Sequence, residues 1–314
     1  MPLLTQESGH SMQNLERESA MVKEITATQQ IVKRGQFQMI WNRFRKNKTA
    51  VLGLFLLSAI IFIALCAPLI VDYQADALEQ NISERLLSPG SGHLLGTDQF
   101  GRDLFARIIF GARISLSLGF GAILISVTIG ILLGSVSGYY GGKIDNFIMR
   151  IMDVFLAIPH VLMAMIIVAA LGAGTQNLLI AMAISSTPQF ARIVRSAIIT
   201  QRDSLYIEAC KALGTRDIRI IMKHIIPNAL GPIVVQATLN LAKTILNISF
   251  LSYLGLGVPS PTPEWGAMLS EAKDLMLYYP YLIMVPGCAI IVSVLSLNLL
   301  GDGLRDALDP KLKN

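Results

Sequence analysis

The stretch Ala50–Val71 reads AVLGLFLLSAIIFIALCAPLIV and contains no charged residue. Wound as an α-helix at about 1.5 Å per residue, it reaches about 33 Å, enough to cross about 30 Å of hydrocarbon. In lipid a backbone must satisfy its own polar groups, which leaves the helix or the closed barrel. The run lacks the alternation of a barrel strand, so it is a helix. Composition agrees. Of 314 residues 53% are hydrophobic and only 15% charged, and the mean hydropathy is +0.56. A soluble domain carries about 25% charged residues.

Five similar runs follow, at about 115–138, 147–171, 178–200, 230–254 and 281–300. The expected architecture is therefore an all-α integral membrane protein with six transmembrane helices. The fourth run is the least apolar, because Arg192 and Arg195 must snorkel or lie past the interface. Pro159-His160, inside the third, is expected to kink it.

Ahead of the first run, Phe37, Ile40, Trp41 and Phe44 share one helical face beside Arg43, Arg45, Lys46 and Lys48. Such a pattern predicts a basic amphipathic helix over 36–49, lying on the membrane surface. Residues 1–35 are rich in Gln, Glu and Ser and read as a disordered tail. They contain no apolar core, which argues against a cleaved signal peptide.

Lys and Arg set the orientation. With the N-terminus inside, eighteen fall on the cytoplasmic side and five outside, namely Arg85, Arg102, Arg107, Arg113 and Lys273. The bias puts both termini on the cytoplasmic side of the membrane. The resulting organisation is a tail (1–35), a surface helix (36–49), a transmembrane domain (50–304) and a cytoplasmic tail (305–314). The domain carries an outer loop at 72–114 and a cytoplasmic loop at 201–227.

No catalytic engine is evident. The nearest approach to a phosphate-binding loop, Gly141-Gly142-Lys143-Ile144, lacks the first Gly and the final hydroxyl and reads as a turn between helices. His10, His93, His160 and His224 are scattered, and Cys66, Cys210 and Cys288 show no metal-binding spacing. The net charge of +5 sits where a membrane protein places it, so no nucleic-acid partner is implied.

The cytoplasmic loop is too patterned to be a plain connection. Ser204 can cap a helix with Glu208 in its first turns, and Ala209, Cys210, Ala212 and Leu213 make that helix small and apolar. Gly214 breaks it. A second helix is expected over 215–225, with Ile218, Ile221, Met222 and Ile225 on one face and Pro227 ending it. In the fifth run, Lys243 stands between Asn240 and Asn247 on a similar face. An intramembrane charge faces either a wet cavity or a partner, so this face lines a passage or forms a seam to another subunit.

Glu208-Ala209-Cys210, Gly214 and His224-Ile225-Ile226-Pro227 resemble the EAA loop of bacterial ABC import permeases, with Cys210 and Ile226 replacing the usual Ala and Leu. Leu95-Gly96-Thr97-Asp98, Gly101-Arg102-Asp103, Pro261-Thr262-Pro263-Glu264-Trp265-Gly266 and the tail 301–310 are similar to the C-type permease of dipeptide and oligopeptide importers. This resemblance implies a type I importer fold with a helix–Gly–helix elbow. It also implies that Glu208, Ala209, Ala212, Leu213 and Gly214 dock into a separate ATP-binding subunit, with Tyr206, Lys211, His224 and Pro227 completing the coupling loop. Gly96, Thr97, Asp98, Gly101, Arg102 and Asp103 form an outer signature that either makes ion pairs or meets substrate or binding protein. The implied partners are a homologous second permease, two ATPase subunits, an extracytoplasmic binding protein, membrane lipid and a peptide. ATP and magnesium belong to the ATPases, and the chain itself carries no cofactor. Within the family, nickel, glutathione, haem and opines are alternative cargoes. Outside it, the alternative is a channel or proton-coupled transporter.

Overall fold

The computed structural model describes residues 36–90 and 92–308. The tails expected at 1–35 and 309–314 lie outside these. Eleven α-helices follow in order: α1 (Gln36–Lys46), α2 (Lys48–Ile70), α3 (Leu104–Tyr140), α4 (Gly142–Leu156), α5 (His160–Leu171), α6 (Thr175–Arg202), α7 (Leu205–Ala212), α8 (Asp217–Ile220), α9 (Ile226–Tyr253), α10 (Trp265–Ala272) and α11 (Tyr281–Leu308). The chain divides into Met1–Lys46 and Asn47–Asn314. Of the first unit only α1 is described, with the Trp41 and Phe44 rings stacked at 5.9 Å. The surface helix expected over 36–49 ends at Lys46. Asn47 then caps the next helix, its side-chain oxygen accepting from the amides of Thr49 and Ala50.

Among the described residues four helices are long and apolar enough to cross a membrane: α2, α3, α11 and the continuous stretch Asp217–Tyr253. The third expected run is two helices, α4 and α5, bent by 87°. The bend falls at 157–159, where Pro159 occupies the N-cap of α5. With that pair counted as one span there are five. The fourth expected run, α6, is 28 residues long but too polar to qualify by composition.

Glycine spacing shows how α6 is held nonetheless. Gly130, Gly134 and Gly138 lie one turn apart on α3, and a Cβ on them would meet Phe190 at 2.5 Å, the Ala191 carbonyl at 2.5 Å and the Arg195 carbonyl at 2.9 Å. The backbones of α3 and α6 therefore touch along a seam of small residues. Ser126 extends it, donating to the Ala183 carbonyl at 2.9 Å. The cations of α6 find partners on α4. Arg195 grips Asp145 with two hydrogen bonds of 2.5 Å, and Arg192 pairs with Asp153 at 2.7 Å.

Two expected loops contain helix. α3 begins at Leu104, so the loop expected over 72–114 ends at Asp103, whose carboxylate caps α3 through the Ala106 amide at 2.8 Å. α10 occupies part of the loop after α9, and α11 carries residues 305–308 of the expected tail. The Gly141-Gly142 turn between α3 and α4 forms with φ of 67° and 56°.

Candidate functional site

The elbow between α6 and α9 is built by one glycine. Leu213 ends α7 and Gly214 follows at φ 73°, the left-handed region that costs a Cβ-bearing residue. Its amide donates to the Lys211 carbonyl at 2.9 Å, and the next amide, of Thr215, reaches back to Cys210 at 3.1 Å. This paired arrangement is a Schellman cap, satisfying the last carbonyls of α7 while turning the chain. Ser204 sits at the N-cap as expected, but its hydroxyl donates to the Gln201 carbonyl at 2.6 Å instead of capping α7.

α7 has two faces. Ile207 is fully buried and packs with Tyr139, Val194, Ile198, Ile220, Ile221 and Ile225, with Cys210 beside them. Glu208, Ala209, Lys211, Ala212, Leu213 and Gly214 are exposed. The departure from the family pattern at Cys210 therefore lies on the face turned toward the bundle. Leu205 is 83% and Leu213 85% exposed, with Ile218 and Met222 also uncovered.

The second arm departs from its expected form. The α-helix α8 covers only Asp217–Ile220, a π-helical turn Ile221–Ile225 follows, and the helix runs unbroken into α9. Pro227 thus starts α9 instead of ending the arm. The π turn places an extra residue in its loop and shifts the buried face. Ile220, Ile221 and Ile225 are buried, while Ile218 and Met222, expected beside them, face outward. His224 and Tyr206 sit at the base. Asn228 donates to the His224 carbonyl at 2.8 Å and to the Tyr206 hydroxyl at 3.3 Å.

Sequence reasoning missed the residues tying the elbow to the bundle. The buried Tyr139, at the inner end of α3, donates to Asp217 at 2.7 Å. Lys211 lies 5.4 Å from the centre of the same ring. Arg202 donates to the Gly138 carbonyl at 3.2 Å, and Ser137 bonds Asp145. The available signal was the aromatic pair Tyr139-Tyr140 directly before the Gly-Gly turn.

At the N-terminal end of α3 the signature residues form a buried ionic cluster. Arg102 and Arg107 are each 1% exposed. Arg102 reaches Asp98 and Glu271 at 2.6 Å each, and Arg107 reaches Glu271 at 3.1 Å and Asp98 at 3.5 Å. Arg107 also donates to the carbonyls of Ala77 and Pro261 at 3.2 Å. Two carboxylates and two guanidinium groups thus bind the loop ahead of α3 to α10, with both arginines buried and with Arg102 Nη1 and Glu271 Oε1 left without a hydrogen-bond partner. Gly101, at φ 78°, lies so close to Asn81 that a Cβ would meet its carbonyl oxygen at 1.7 Å. Gly96 turns at φ 82° against Leu87, and Thr97 donates to the Glu84 carbonyl at 2.5 Å. Asp103 accepts from or pairs with His93 at 2.6 Å. Glu264 is fully buried and accepts from Ser115 at 3.0 Å and the Ala267 amide at 2.9 Å.

Within the bundle the three polar residues of α9 part company. Asn240 is buried, Lys243 exposed and Asn247 half-buried. Asn247 donates toward His160 Nδ1 at 3.3 Å, and the other ring nitrogen lies 2.8 Å from Ser186.

Residues 130–314 match the family described as "binding-protein-dependent transport system inner membrane component". The chain belongs to that family. Residues 35–89 of this permease further match the N-terminal transmembrane domain of oligopeptide transport permease C. A dipeptide transport system permease protein of Alkalihalophilus pseudofirmus is 47% identical over 274 residues, covering 87% of this chain and 90% of the relative. A glutathione transport system permease protein of Pectobacterium atrosepticum is 42% identical over 301 residues, 95% and 99% of the two chains. An oligopeptide transport system permease protein of Bacillus subtilis is 41% identical over 271 residues, 86% and 88% of the two. The inward-facing methionine transporter MetNI shares the fold at TM-score 0.54 and 19% identity, covering 66% of this chain and 98% of that one. This permease is therefore a multi-pass membrane subunit of an ABC importer, and ATP hydrolysis belongs to separate subunits. A motor-free channel or proton-coupled carrier is set aside by the family match.

Proposed function

We propose that the permease forms half of the pathway of a dipeptide or oligopeptide importer in the bacterial cytoplasmic membrane. It pairs with a homologous second permease, receives peptide from an extracytoplasmic binding protein, and seats an ATPase on α7. The observation that carries this reading is the elbow. Its exposed Glu208, Ala209, Ala212 and Leu213 project from a rigid Schellman-capped turn, while Tyr139 and Ile207 anchor the other face to the bundle. A partner's closure on ATP is thereby transmitted to the ends of α3 and α9.

Packing supports six crossings with both termini cytoplasmic. Along the α3–α6 seam, Gly121 lies against Leu179, Gly130 against Phe190, Gly134 against Val194 and Gly138 against Ile198. The partners advance together, so the two helices run side by side in the same direction. The stretch 121–138 of α3 crosses a slab of about 26 Å at about 1.5 Å per residue, and α6 crosses the same slab. The chain must return between them, which makes the bent pair α4–α5 a crossing too.

The decisive experiment is uptake of labelled tri-alanine into proteoliposomes holding the permease, its neighbouring permease, ATPases and binding protein. ATP-dependent accumulation is expected, and uptake indifferent to ATP overturns the reading. The glutathione relative, aligned over 95% of this chain, favours glutathione as a second cargo, which the same vesicles test by competition.

A further inference from the structure

Lys243 sits inside α9, ten residues before its end at Tyr253, about 15 Å from that terminus. Its ammonium has neither an ion pair nor a hydrogen bond among the described residues, although its side chain is exposed. Among the described residues no carboxylate pairs with it, although α11, which carries Asp302 and Asp306, packs against α9 with Gly301 at Leu239. Helices α2, α3, α5, α6 and α9 contain no Asp or Glu. The aspartates of α4 are engaged by Arg195 and Arg192, and those of α11 lie in its last two turns. One turn earlier on α9 stands Asn240, 6% exposed, whose amide nitrogen is buried without a hydrogen-bond partner. Residues three apart on a helix are neighbours. Two donors one turn apart, one cationic and exposed and one neutral and buried, thus lack partners among the described residues, while Asn247 on the next turn is held by His160 at 3.3 Å.

An unpaired ammonium in a membrane helix is costly, and so is a buried amide donor without an acceptor. One group satisfies both: a carboxylate, whose two oxygens offer one acceptor to each donor. We infer that Lys243 and Asn240 form a transient subsite for the terminal carboxylate of the peptide on its way through the permease. This rests on the peptide-importer reading above. A free peptide of any sequence carries that carboxylate, so the subsite recognises cargo as peptide without selecting side chains. The polar neighbours fit a passing ligand. Asn247 and His160 continue the polar face beyond Lys243, where a fixed ion pair to a neighbouring subunit needs one isolated cation.

Two measurements on the complete reconstituted transporter test it. ATP-dependent uptake of tri-alanine by the unaltered complex establishes the importer reading by itself. Against that reference, Lys243→Gln is expected to slow uptake roughly tenfold or more, and Lys243→Arg to keep most of it, because a charged hydrogen-bonded pair is worth at least that factor. Uptake unchanged in Lys243→Gln overturns the subsite while leaving the importer reading standing. The second measurement is reductive methylation of Lys243 in the unaltered complex, read by mass spectrometry. Tri-alanine is expected to protect the amine and tri-alanine amide to leave it reactive. Equal labelling with the two peptides overturns the proposal. So does an amine unreactive without peptide that becomes reactive when the second permease is removed, since the carboxylate then belongs to that subunit.

Discussion

Glu271 holds two buried cations at once, with Arg102 at 2.6 Å and Arg107 at 3.1 Å. Asp98 alone cannot balance both, so Glu271→Ala leaves an uncompensated charge against α10. Breaking a buried pair this way costs about 3–5 kcal/mol. The variant is expected to melt well below the parent in detergent, and a double variant with Arg107→Met to recover part of the loss. His93 adds a pH dependence on the same side of the molecule. Its hydrogen bond to Asp103 raises its pKa above 6.5, burial opposes this, and the charges of Asp103 and Glu84 reinforce it. A raised pKa in the folded state means the protonated ring stabilises the loop. That stabilisation is fully present below about pH 6.5 and is lost as pH rises through the folded value. Protection of the amides across 84–103, taken relative to their base-catalysed intrinsic exchange, is therefore expected to fall from pH 6 to pH 8, and His93→Gln to flatten the difference. Arg102 and Asp103 were legible in the outer motif as candidates for ion pairs or ligand contact, but the burial of Arg102 was not. The carboxylate that closes the cluster, Glu271, comes from a helix more than 160 residues away in sequence.

Among the elements, the elbow was the most legible, because a small-residue helix, a glycine and a basic arm each have local causes. Its second arm was misread at Pro227. A proline normally stops a helix, since it lacks an N–H and crowds the carbonyl four residues back. Here the π turn widens the ladder just ahead of it, with the Ile226 amide bonding Ile221, and the helix continues. Nothing local announces a π turn. The glycine seam on α3 was present as GILLGSVSG at 130–138, yet only the structure pairs it with α6. That pairing explains how so polar a helix is retained in the bundle. The elbow itself gives the prediction at this scale. Gly214→Pro removes the amide bonded to Lys211 and demands a φ near −65° where the chain has 73°. ATP-driven uptake is expected to fall by about tenfold or more, with membrane insertion unchanged. Glu208→Arg alters only the exposed face and is expected to lower co-purification of the ATPase with the fold intact. Unchanged uptake in both variants removes the elbow from the coupling mechanism.

For the whole molecule, the path of the chain is decided by α6, the one long helix whose composition does not announce a crossing. If α4–α5 dips in and returns, Ala173 lies on the cytoplasmic side and α6 cannot run beside α3 in the same direction. If the pair crosses, Ala173 lies outside, α6 brings the chain back, and the elbow meets the cytoplasm where ATP is. The seam from Gly121 to Gly138 supports the second path. Cysteine labelling separates them. With Cys66, Cys210 and Cys288 replaced by Ser, Ala173→Cys is expected to react with a membrane-impermeant maleimide in intact cells. Ala212→Cys, on the exposed face of α7, is expected to react only after permeabilisation, and less once the ATPase is bound. Ala173→Cys silent in intact cells and reactive after lysis would falsify the six-crossing path. Because α7 and the ionic cluster at Arg102 are reached through opposite ends of α3, the same result fixes which side receives cargo and which receives force.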